Sequence, residues 1–163
     1  MSDLVWHYTT GQKFELIAEC GLLMPTEVGI AKNEKPVLWF SKNQSWEPTA
    51  NKMRRSPDGK LIFLDQLGTA EHGGGLVRFG IKKNSVHHWH ALIKAACIPE
   101  TTVRSLEAAG IKQGAKPSDW CGTLKPVNVD ECSAIEVLNQ DGKWERVAEH
   151  ENPPKKGDQS HEA

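Results

Sequence analysis

Several groups of residues in this chain carry side chains that can do chemistry. His7 stands in Leu4-Val5-Trp6-His7-Tyr8-Thr9, an aromatic and β-branched run whose end can aim an imidazole nitrogen into a cleft as donor or acceptor. Trp46-Glu47-Pro48-Thr49-Ala50-Asn51-Lys52 gathers a stacking ring, a carboxylate, a hydroxyl, an amide and an ammonium, and Arg54 and Arg55 follow it. Such a basic, aromatic patch suits a pyrophosphate or a nucleic-acid strand. Glu71-His72-Gly73-Gly74-Gly75 joins two acid–base groups to a glycine run whose backbone can approach a ligand closely. No Lys-Ser/Thr pair follows the glycines and their spacing is not GxGxxG, so neither familiar phosphate loop is present. Arg78, on the segment after them, can bind a phosphate. Glu136, flanked by Ile135 and Val137, projects from the opposite face of a strand to theirs.

Each of these groups also has a purely structural use. His7 can satisfy nearby backbone, Trp46 can anchor a loop on the core, and Arg78 and Glu136 can be ordinary solvent-facing strand positions. His87-His88-Trp89-His90 would put His87 and His90 on one face of a helix. No acidic residue or further spaced histidine completes a metal set there, so a solvated helix start is expected and no metal site. The cysteines, Cys20, Cys97, Cys121 and Cys132, stand singly without a CxxC pair. They read as reduced thiols of a cytoplasmic protein, mostly packed as small hydrophobes.

The elements that must position these residues follow from pattern. Strands are expected over 4–9, 36–41, 61–64, 76–81, 120–123, 133–138 and 143–147, the last two joined by the hairpin signal Asp141-Gly142. Helices are expected over 12–19, ended by Gly21, and over 86–97 and 100–113, separated at Pro99. The stretch from Trp46 to Arg55 reads as a polar segment with a helical turn, and the glycine run as a tight loop. Interspersed strands and helices with a terminal hairpin favour the α+β class.

The chain has 163 residues, of which 38% are apolar and 25% charged, and its net charge is −1. That length predicts one domain, over 1–148, with a polar tail over 149–163 that has no apolar face to bury. Near-neutral charge excludes a basic shell dominating a nucleic-acid interaction, while leaving room for a local basic groove. No apolar run approaches the roughly 18 residues of a membrane span, and the N-terminal residues lack a secretory pattern.

A first strand ending His7-Tyr8-Thr9-Thr10, a short helix, Gly21-Leu22-Leu23-Met24-Pro25 and a second strand ending Trp39-Phe40-Ser41 together resemble the ADP-ribosyltransferase superfamily. The likeness is to the toxin-type nucleic-acid ADP-ribosyltransferases and the wider histidine-class transferases. It covers about the first 55 residues, and beyond them rests on strand order and one acidic position. The resemblance implies a compact split antiparallel β-sandwich with flanking short helices, binding NAD in a cleft between two small sheets. By that analogy His7 hydrogen-bonds a hydroxyl of the adenosine ribose and Ser41 lies beneath the nicotinamide-side ribose. One of Trp39, Phe40 and Trp46 stacks on a planar ring. Tyr8, Thr9, Asn51, Lys52 and Arg78 complete the expected cofactor-binding set.

Cleaving the nicotinamide–ribose bond builds positive charge on the sugar, so a carboxylate aimed at it stabilises the transition state. Glu136 is the expected catalytic carboxylate, with Glu71 or Glu131 as alternatives, and His7 orients NAD. The chain departs from the family where Ala134 stands two positions before Glu136 in place of Glu or Gln, and Tyr8 is its only tyrosine. The implied function is ADP-ribosyl transfer from NAD to a nucleic-acid or protein acceptor. The alternative is a non-catalytic module that binds a nucleotide or nucleic-acid end in the same cleft. An RNA 2′-phosphotransferase-like activity shares the NAD chemistry, but its phosphate-binding arginines are not found.

Overall fold

The computed structural model describes residues 2–147, so the expected tail over 149–163 lies outside the described residues. The chain runs β1 (Leu4–Thr10), α1 (Gly11–Cys20), β2 (Leu22–Leu23), β3 (Leu38–Ser41), β4 (Met53–Arg55), β5 (Leu61–Phe63), α2 (Gln66–Gly73) and β6 (Leu76–Lys82). It continues through β7 (His87–His88), α3 (Trp89–Ala95), α4 (Glu100–Lys112), β8 (Trp120–Thr123), β9 (Val127–Asn128), β10 (Ala134–Leu138) and β11 (Trp144–Arg146). The architecture is α+β, with a seven-stranded antiparallel sheet in the order β11-β10-β6-β1-β3-β8-β7.

Strand β1 holds the centre of that sheet. It pairs with β6 from Leu4↔Lys82 to Thr10↔Leu76, along its whole length. On its other side it pairs with β3 at one position only, Trp6↔Ser41. The sheet therefore consists of two well-paired halves joined at a point. Alternation buries Val5, Phe40 and Phe79 on one face, under Phe14 and Ile17 of α1. Trp6, Tyr8, Trp46 and Leu76 pack on the other. A further core of Trp89, Leu92 and Trp120 seats α3 and α4 against the β3–β8–β7 half.

Helix α1 has both of its expected signals. The Thr10 side chain accepts from Lys13 N, and Gly21 ends the helix in the left-handed region at φ 74°. The glycine run was expected as a tight loop; Glu71–Gly73 instead form the last turn of α2, and Gly74 and Gly75 make the turn into β6. Asp65 caps this helix by accepting from Gly68 N at 2.7 Å, and Gly74 closes it at φ 73°. A Cβ on Gly73 would sit 2.3 Å from Thr10 Cγ2, and one on Gly11 would sit 2.1 Å from the Gly74 carbonyl oxygen. The glycines thus let α2 interlock with the β1–α1 corner, and their close approach is to the chain itself.

Two other expectations change. Met53–Arg55 is a strand that pairs with Leu61–Phe63, where a helical turn was expected. His87 and His88 lie on β7, outside the helix that starts at Trp89, so His87 and His90 do not share a helical face. Among the described residues no three metal-ligating side chains converge, and no helix is long and apolar enough to cross a membrane. Cys121 is buried and Cys132 half-buried, with burial pushing their thiols up to about 12 and about 11. Cys20 and Cys97 are exposed, so half of the thiols do not serve as packing.

The β11–β10–β6–β1 half is bound together by Arg78. Its Nε donates to Glu136 Oε2 at 2.7 Å and its Nη2 lies 2.5 Å from the same oxygen. Its Nη1 donates to the Gln44 carbonyl oxygen and, at 3.4 Å, to Tyr8 Oη. The guanidinium carbon stands 3.8 Å from the centre of the Trp6 ring and 4.5 Å from that of Trp144. A buried arginine with this many partners is costly to orphan or delete. Replacing Arg78 with Ala is expected to lower the unfolding free energy by about 3–5 kcal/mol in urea titration; a loss under about 1 kcal/mol would show that the cluster is incidental.

Candidate functional site

A cleft of about 390 Å³ opens where β1 and β3 separate, within the size range of small-molecule sites. Trp6, His7 and Tyr8 border it from β1, and Trp39, Phe40 and Ser41 from β3. Consecutive strand residues point to alternate faces, so no single face could supply all three from each strand. The cleft follows the seam between the strands. Its outer wall comes from Glu47 and Thr49 at the 3₁₀ turn Pro48–Ala50, from Trp120, and from the end of α4. Gly110 lets α4 close on that side, because a Cβ there would lie 2.4 Å from Trp120 Cζ2.

His7 helps to keep the seam open. Its Nδ1 lies 2.8 Å from the Trp39 carbonyl oxygen, which accepts, so this nitrogen carries the hydrogen. A β3 carbonyl that would otherwise want a ladder partner is thereby satisfied by a side chain. The imidazole packs against Phe40 and Phe79, with ring centres 5.8 and 6.4 Å away. Burial lowers its pKa from the ordinary 6.5, the bond to Trp39 opposes that, and the Lys52 charge adds to it. The ring is therefore neutral near pH 7, and Nε2 carries a lone pair. Among the described residues Nε2 has no hydrogen-bond partner. No fully buried side-chain nitrogen or oxygen among them lacks one, so Nε2 keeps exposed surface on a residue that borders the cleft.

The cleft is also bordered by a carboxylate that the expected catalytic set did not include. Glu47 is only 6% exposed. Its Oε1 accepts from Thr49 Oγ1 at 2.8 Å, Trp120 Nε1 at 3.2 Å and Thr49 N at 3.3 Å. Its Oε2 accepts from Ser41 Oγ alone, at 2.7 Å, and keeps acceptor capacity. No lysine, arginine or histidine lies within 4.0 Å of it among the described residues. A buried carboxylate held by neutral donors keeps its field for whatever enters the cleft. Ser41 Oγ in turn accepts from Asn43 N at 3.1 Å, which fixes the hydroxyl's direction.

Of the residues expected to bind a cofactor, the cleft gathers His7, Tyr8, Trp39, Phe40 and Ser41. Trp46 and Asn51 do not border it. The Trp46 indole donates to Asn51 Oδ1 at 2.9 Å and packs edge-on to Tyr8, so both are spent on structure. Thr9 is buried beside β6. Lys52 is half-buried and near enough to His7 to depress it, while burial and the Lys13 charge lower its own pKa. Tyr8 gives its hydroxyl proton to the Asn43 carbonyl at 2.5 Å, and burial raises it to about 12 against the opposing pull of Arg78. Arg78 and Glu136 neutralise each other outside the cleft lining. Glu71 and Glu131 are exposed and also lie apart from it.

Glu47, Thr49 and Trp120 were therefore missed as a unit. Trp120 is 73 positions from Glu47, and nothing local to either residue announces the contact. Comparisons with protein-family models, with curated proteins and with solved structures found no match to the chain.

The depressed His7 gives a signed expectation. The unfolded chain takes up a proton near pH 6.5 that the folded chain refuses, so the stability that neutral His7 contributes is full above about pH 6.5 and is lost as pH falls. Between about pH 7.5 and about pH 5.5, the wild-type chain should lose more urea-unfolding free energy than His7→Gln. Identical losses would mean that His7 takes up its proton alike in the folded and unfolded chain, and a smaller loss in the wild type that the fold favours the charged ring.

Proposed function

We propose that the β1–β3 cleft binds NAD and that the protein transfers its ADP-ribosyl group to an acceptor, with Glu47 as the carboxylate facing the reacting ribose. One observation carries this reading: an open imidazole nitrogen and a buried, cation-free carboxylate border the same aromatic-walled cleft. The ADP-ribosyltransferase resemblance implies a cleft between two small antiparallel sheets, whereas here the cleft lies at a seam within one seven-stranded sheet, where β1 and β3 pair at a single position.

Each part has a physical task. Trp39 is half-exposed and offers a flat surface for the nicotinamide or adenine ring. Nε2 of His7 accepts from a ribose hydroxyl, which its lowered pKa keeps possible at neutral pH. Lys52, close to His7, supplies positive charge for the pyrophosphate. The C–N bond between nicotinamide and ribose breaks with its electron pair leaving on nicotinamide. The cation-like sugar is stabilised by the Glu47 carboxylate, which Ser41, Thr49 and Trp120 hold in place beforehand. A hydroxyl or nitrogen nucleophile of a nucleic acid or protein then bonds to the same carbon and releases its proton to Glu47 or water.

Glu47 replaces Glu136 in this scheme because an arginine already neutralises Glu136. The test is nicotinamide release from NAD, measured with and without mixed DNA, RNA and protein acceptors. Glu47→Gln should cut turnover by about 10²-fold or more while leaving NAD affinity close to wild type. His7→Phe should instead weaken NAD binding. NAD binding without turnover in the wild type would leave a nucleotide-binding module. An NAD-independent melting temperature at millimolar ligand would overturn the proposal.

A further inference from the structure

Strands β4 and β5 form a two-stranded sheet of their own that joins no other strand among the described residues. Their backbone ladder has a definite phase. Leu64 N donates to the Lys52 carbonyl and Ser56 N to the Lys60 carbonyl, so the bonded pairs are 52/64, 54/62 and 56/60. The intervening residues, Met53, Arg55, Leu61 and Phe63, turn their N–H and C=O groups outward to the two free edges. The same four residues share one face of the hairpin.

That face is not a solvated one by composition. Met53, Leu61 and Phe63 are 51%, 53% and 71% exposed, and Arg55 lies among them. The inward face is carried by Ile62, which is half-buried. Exposed Met, aromatic and Arg side chains together are the composition of interface cores. Edge strands are normally blunted by proline, a bulge, charge or shortness. Strands β4 and β5 are three residues each and Arg54 shares the inward face with Ile62, but neither carries a proline or a bulge. From Lys52 to Phe63 four basic residues stand against the single acid Asp58, so the hairpin favours a negatively charged occupant.

We infer that this hairpin docks a partner protein through an extended, acidic segment with alternating apolar side chains, added as a further strand. Backbone bonds to the outward groups of Met53 and Arg55, or of Leu61 and Phe63, give affinity. The apolar face and the arginines read the side chains. Nucleic acid fits less well, because only Phe63 of the three apolar groups can stack on a base. The hairpin leaves directly from the turn that holds Glu47, and Lys52 N donates to Thr69 Oγ1 at its base, so a docked partner sits beside the cleft. The inference does not depend on what the cleft turns over.

The test uses the full chain and fluorescent peptides of about ten residues that alternate Glu with Leu, Val or Phe. Controls are the same peptides with Lys for Glu, a thymidine oligonucleotide, and phosphatidylserine vesicles. The acidic peptide should bind measurably and the Lys peptide should not. Phe63→Ser and Met53→Ser, both exposed and so expected to keep the wild-type melting temperature, should each weaken binding at least about tenfold. Amide exchange should slow at Met53 and Arg55 or at Leu61 and Phe63. Failure of the acidic peptide to bind, or binding indifferent to both variants, overturns the inference. So does preference for the oligonucleotide or vesicles, or a wild-type dimer that Phe63→Ser dissociates. Nicotinamide release is read separately, so the two proposals fail independently.

Discussion

The site depends on β1 and β3 not pairing beyond Trp6 and Ser41. Neighbouring antiparallel strands gain a hydrogen bond for nearly every backbone polar group they bring together, so a seam that opens after one pair needs substitutes. Here the Trp39 carbonyl accepts from an imidazole, Asn43 N is bonded to a serine hydroxyl and Tyr8 closes on the Asn43 carbonyl. Side chains thus satisfy backbone groups along the opening. The same side chains are then fixed at the cleft's border.

Two carboxylates show how environment assigns different roles to the same group. Glu136 lies directly across from Arg78 in strand register, and the guanidinium sits between Trp6 and Trp144. Its charge is cancelled at short range, and it holds strands together. Glu47 is buried where Glu136 is half-buried, and it meets hydroxyls, an indole and an amide. Its negative charge is oriented without being cancelled. Only the second arrangement leaves a field that a developing positive charge in the cleft could feel.

The parts legible in the sequence were those that local pattern controls. The β1 run, the Thr10 and Gly21 caps of α1, the aromatic β3 and the Asp141-Gly142 hairpin all appear near their expected places. Helix α2 was hidden because three glycines suggest a loop, while an Asp65 cap and tight packing on Thr10 make them tolerable. Strand β5 was legible over 61–64, but its partner β4 was hidden because Met53–Arg55 is short and charged, with no alternation to betray it. His7, Tyr8, Trp39, Phe40 and Ser41 could be named as cleft residues because they stand on the strands that part. Glu47 was legible only as one member of the Trp46–Lys52 patch, since its setting depends on Trp120 and on α4, far along the chain. Alternation gave Glu136 a face but could not give it a partner.

The most direct measurement is a crystal structure of the protein with NAD. The account predicts ligand density in the seam between β1 and β3, with a ribose hydroxyl within hydrogen-bond reach of His7 Nε2 and the nicotinamide-bearing sugar against Glu47 Oε2. NAD lodged elsewhere on the molecule, or a seam that stays empty at saturating ligand, would contradict it.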